Sequence, residues 1–199
     1  MRTREAAMIL VLAAWPLAGC DEQNIFETIP EQVFHGTTQL WELGLEGFPS
    51  GFDIPTGTRF FVGPSSIGMS FGSFVLEGRD DGTLVFRPFA TIAPGFTAVR
   101  VGLQDLGARP FSAVTEVPDG NYSLPNDSTG VAVVQGHTYA IRVSGSTPTG
   151  LIAINYGKLH VAEVGLQFPE DPRSRFARIE WAYQNQPQER NVTVVEGSP

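Results

Sequence analysis

The chain has 199 residues, with 13 Lys and Arg against 21 Asp and Glu and a formal net charge of -8. That balance excludes the clustered cations that neutralise phosphates, so no nucleic-acid partner is expected. The single cysteine excludes an internal disulfide, and 22 Gly, 15 Pro and 14 Phe favour turns and pleated sheet over helix.

The first residues fall into three zones. Arg2 and Arg4 make a basic start, Ala6 to Ala18 is almost wholly apolar, and Leu17-Ala18-Gly19-Cys20 closes the run. The order is that of a secretory signal, and the last four residues resemble the lipobox of bacterial lipoproteins. That resemblance implies a cleaved signal peptide over residues 1–19 and lipidation at Cys20, the first residue of the mature chain. The apolar run is too short for a membrane helix, which takes roughly 20 residues, and charged Asp21 and Glu22 follow it. Each buried methylene of an acyl chain adds about 0.8 kcal/mol of membrane affinity. An acidic domain has no charge attraction for anionic lipid, so the membrane contact is expected to rest on the lipid. The expected location is the cell envelope, anchored to the inner or outer membrane, with the domain in the periplasm or at the cell surface. Asp21 fits the inner-membrane retention pattern of enterobacterial lipoproteins.

Residues 20–37 are polar and weakly periodic and read as a tether. From Thr38 onward, short strand-like runs alternate with turn signals. Trp41, Leu43 and Leu45 share one face of a first run, and Arg59 to Val62 makes a second. Phe74 to Glu77 and Thr83 to Phe86 flank Gly78-Arg79-Asp80-Asp81-Gly82, the clearest hairpin signal. Further strands are predicted over Phe96 to Leu103, Ser112 to Val117, Val131 to Val134 and His137 to Val143. Leu151 to Tyr156, Lys158 to Leu166 and Phe176 to Gln184 complete the series. No window carries a long apolar stripe at helical period. Eight to ten short strands predict an all-β fold, an antiparallel β-sandwich or open barrel, in one domain over residues 38–187. A polar tail is expected over residues 188–199.

Few residues suggest chemistry. Gly68-Met69-Ser70-Phe71-Gly72 matches the nucleophile pattern of α/β hydrolases, but that motif needs a strand-to-helix turn, and strand pattern follows it here. His137 and His160 are candidate ligand-binding residues, since histidine ligates metals and haem. Neither stands at a metal-ligand spacing from another His or Cys, so no metal site is expected. Asp80-Asp81 and Asn126-Asp127-Ser128 are oxygen-rich but read as turns, because Asp and Asn side chains bond to nearby backbone. Trp41, Tyr139, Trp181 and Tyr183 stand in apolar strand patterns and are expected in the core.

One further resemblance lies in the C-terminal part. Gly136-His137-Thr138-Tyr139-Ala140-Ile141-Arg142-Val143, then Tyr156-Gly157-Lys158-Leu159-His160-Val161, then Ala177 to Gln184 form a three-strand cadence. It resembles the closing strands of the HmuY-like haem-carrier lipoproteins. The resemblance covers about 50 residues and implies an all-β domain behind a lipobox, with haem or another small apolar molecule as ligand. The family's haem-binding histidines lie upstream of these strands, and neither His137 nor His160 matches one of them. The expected function is therefore a non-enzymatic binding or scaffolding role with an envelope protein partner, and no cofactor. The alternative is a ligand carrier that takes haem or a similar molecule.

Overall fold

The computed structural model describes residues 32–63, 72–93, 99–124, 126–146 and 152–195. In chain order the strands are β1 (Val33–Trp41), β2 (Gly51–Asp53), β3 (Thr58–Phe60), β4 (Phe74–Gly78) and β5 (Leu84–Pro88). They continue with β6 (Val99–Asp105), β7 (Val131–Ala132), β8 (Thr138–Ser146), β9 (Ile152–Leu166) and β10 (Arg175–Gln184). One antiparallel sheet has the order β1-β10-β9-β8-β6, and the other β3-β2-β4-β5-β7. The two pack as a β-sandwich, not a closed barrel.

Alternation along each strand builds the core. Tyr139, Ile141 and Val143 of β8 and Ile179, Trp181 and Tyr183 of β10 point between the sheets. They meet Phe52, Phe74 and Phe86 of the smaller sheet, whose rings contact at centroid distances of 5.0 to 5.8 Å. The Asp-Gly signal forms the β4–β5 hairpin, closed by Arg79 N–H donating to the Thr83 carbonyl.

Five expectations are corrected. The first strand starts at Val33, inside the segment expected as tether, and ends at Trp41 rather than Leu45. Leu40, not Trp41, enters the main core; Trp41 packs on Phe48 beside Phe168. Ser112 to Val117 is not a strand: a 3-10 turn at Phe111–Ala113 leads into an extended run bridged to Asn191. The runs on either side of Gly157 are one 15-residue strand, because that glycine lies in the sheet with Ile54 packed over it. The tail holds its place as far as Val192, which is fully buried and donates its N–H to the Thr115 carbonyl. Residues 1–31, with Cys20 and most of the expected tether, and residues 64–71, with Ser70, lie outside the described part.

The loop after β6 makes a third layer. Residues 106–123 and 189–192 cross the outer face of the larger sheet as a strap. Val114, Val117 and Val192 pack there on Ala140 and Tyr156, forming a second small core.

Candidate functional site

The strap covers three outward side chains of β9, namely Tyr156, Lys158 and His160. They alternate along the strand and so share one face. Tyr156 packs beside Tyr122 of the strap, 6.3 Å between ring centroids. Lys158 stands in the middle and is 2 % exposed. Its ammonium donates to the Phe111 carbonyl at 2.9 Å and to the Val114 carbonyl at 2.6 Å, and lies 4.2 Å from the centre of the Phe111 ring. Among the described residues no carboxylate pairs with it. Burial therefore pulls its pKa down from 10.5 to about 8.

The two histidines do not meet. His160 Nδ1 lies 3.0 Å from Thr138 Oγ1, which in turn donates to the Arg109 carbonyl at 2.5 Å. A carbonyl only accepts, so the single hydroxyl proton goes to Arg109 and His160 Nδ1–H is the donor to Thr138. In the neutral ring that leaves the Nε2 lone pair free to accept. His137 lies toward the opposite face, its ring 6.5 Å from that of Tyr139 and its Nδ1 3.0 Å from both Asp105 carboxylate oxygens. A sheet thus separates the two imidazoles, and each is held by its own local partner. Among the described residues no three His, Cys, Asp or Glu side chains converge as metal ligands would.

The strand pattern does not single out Lys158 as a functional residue. A compositional signal was available, because Lys158 is the only lysine in the chain. The oxygen-rich loops do act as turns. Thr83 N–H donates to Asp81 Oδ1 and Thr129 N–H to Asp127 Oδ1, each at 2.8 Å. These bonds hold both carboxyls below their ordinary pKa.

A second buried ionisable group lies in the smaller sheet. Asp53 is 3 % exposed and accepts from Thr56 Oγ1 at 2.6 Å, with Ser73 Oγ at 3.5 Å. Burial outweighs these bonds and raises its pKa. A raised carboxyl pKa means the folded state binds the extra proton, so stability is lost as pH rises through the folded value. Asp53→Asn keeps an acceptor for Thr56 and removes the buried charge. It should raise the thermal midpoint at pH 7, with the gain shrinking toward pH 4; a lowered midpoint at pH 7 would show that the ionised form is the favoured one.

No family model matches the chain, and no curated protein or solved structure matches it significantly.

Proposed function

We propose that this protein is a lipid-anchored binding module of the bacterial cell envelope, with Cys20 carrying the acyl chains and the β-sandwich acting by contact rather than catalysis. The carrying observation is the Leu17-Ala18-Gly19-Cys20 sequence placed 13 residues before the first strand at Val33. At most about 3.5 Å per residue, such a leash holds the sandwich within roughly 45 Å of the lipid surface. The non-catalytic reading draws support from Lys158, whose pKa is pulled down to about 8 by burial but whose amine is enclosed by the strap. The haem-carrier alternative gains nothing specific from two histidines on opposite faces of one sheet.

Metabolic labelling with an alkyne fatty acid tests the anchor. The native protein should take up label and fractionate with membranes. Cys20→Ser should take up none and leave a folded domain that a salt wash releases. If that variant stays membrane-bound after the wash, attachment has another source. A hydrolytic activity abolished by Ser70→Ala would overturn the non-catalytic reading.

A further inference from the structure

A sheet edge offers unpaired backbone groups to any strand that can reach it, and exposed edges are normally short, charged, interrupted by proline or covered. Three of the four edges here follow that rule. β3 has three residues and β7 has two. On β6, Leu103 is covered on its outer side: its carbonyl accepts from Ser123 N–H at 2.8 Å and its N–H donates to Ser123 Oγ at 3.0 Å. β1 breaks the rule. It runs nine residues, Val33 to Trp41, without a proline or any Asp, Glu, Lys or Arg.

The direction of each β1 backbone group follows from its neighbours. Glu42 N–H donates to Arg175 in line with the β10 ladder, whereas Trp41 N–H donates to Pro49, away from it. Antiparallel ladders alternate, so Val33, His35, Thr37 and Gln39 also turn their N–H and C=O groups away from β10. None of these outward groups has a partner among the described residues. Pro49 closes the edge at Trp41, so among the described residues the unpaired run is residues 33 to 39, and its midpoint is Gly36.

We propose that β1 is a homodimer interface, pairing antiparallel with β1 of a second copy about a two-fold axis at Gly36. This rests on the binding-module reading and names its partner. With the axis there, Val33 faces Gln39 of the second copy and His35 faces Thr37. All four outward residues then form narrow pairs, each exchanging two hydrogen bonds. An isologous contact requires such self-complementarity. Charge also favours a second copy: although each chain carries -8, the segments that meet carry no acidic residue. The axis falls where the side chain is smallest, and Trp181 of the neighbouring strand packs 3.3 Å from where a Gly36 Cβ would stand. Anchoring by Cys20 would confine copies to one plane and raise their encounter rate. The two larger sheets would join into one continuous sheet of ten strands.

The test is the protein mass of the detergent-solubilised full chain by light scattering, across a concentration series. The native protein should show twice the single-chain mass of 21.5 kDa, less any cleaved leader. Thr37→Pro removes an outward N–H and no bond to β10, as proline permits on an edge, and should return the mass to one chain with unchanged far-UV circular dichroism. If Thr37→Pro fails to fold, Thr37→Lys, which puts a charge on each side of the axis, should do the same. A one-chain mass for the native protein, or a doubled mass that survives both substitutions, overturns the proposal. Neither result bears on fatty-acid labelling at Cys20, so failure of the dimer and failure of the anchor are read separately.

Discussion

Arg175→Met should cost about 2–3 kcal/mol of folding stability, between the value for a solvated surface pair and that for a fully buried one. Arg175 Nε and Nη2 donate to the two Glu42 carboxylate oxygens at 2.7 and 3.0 Å, with side chains 16 % and 11 % exposed. Arg175 Nη1 also donates to the Gly82 carbonyl of the β4–β5 hairpin. Glu42 follows β1 and Arg175 opens β10, so one fork ties the end of the larger sheet to the turn of the smaller. The fork fits only because Gly78 has no side chain; a Cβ there would overlap Glu42 Oε1 and Arg175 Nη2. Replacing arginine alone leaves the Glu42 carboxylate desolvated and unpaired, and orphans one carbonyl. The double variant Glu42→Leu/Arg175→Met abandons no charge and should lose clearly less than the single one. Urea unfolding of the three proteins measures both differences. A loss under about 1 kcal/mol for Arg175→Met would place the pair with solvated surface bridges.

Stability should climb from pH 8 toward pH 10, because deprotonation of folded Lys158 contributes about 2 kcal/mol over that range. Its folded pKa is about 8 against 10.5 for a free lysine. From pH 8 upward the folded chain gives up this proton while the unfolded chain keeps it. The unfolded state then binds more protons, so stability rises with pH, at roughly 1.4 kcal/mol per unit. The neutral amine keeps two N–H donors, enough for the Phe111 and Val114 carbonyls. Toward pH 10 the sign reverses. Burial holds Tyr139 and Tyr183 at about 12 and pushes Tyr122 up as well, so the unfolded chain ionises first. The urea midpoint should therefore peak between pH 9 and pH 10, and Lys158→Met should lack the rising limb. A native midpoint that is flat or falling from pH 8 to 10 would mean that the ammonium is better solvated than its burial implies.

The parts legible in the sequence were those where local pattern and tertiary packing agree. The 78–82 turn carries its own chemistry, and β8 and β10 alternate large apolar with polar residues. β1 was half hidden because its inward positions include Gly36 and Thr38 beside Phe34 and Leu40. Small and polar side chains in a core row erase the period-two signal. β9 was divided at Gly157, since glycine usually punctuates a strand and only the Ile54 contact shows why this one does not. The candidate site was less legible still. Nothing local marks residues 106–123 as a strap, and the burial of Lys158 depends on a segment 44 residues away closing over it. His137 and His160 are near in sequence pattern but on opposite faces, a consequence of odd and even positions on paired strands.

Placing the chain's one lysine beneath the strap has a practical corollary. An amine-selective reagent meets a single ε-amine in this protein, and meets it only in molecules whose strap has lifted. The rate of acylation at Lys158 thus meters local opening without any engineered label. Trypsin finds only arginines on the closed surface, so an extra cut after residue 158 would register the same event. The fold has left one residue as the gauge of its own third layer.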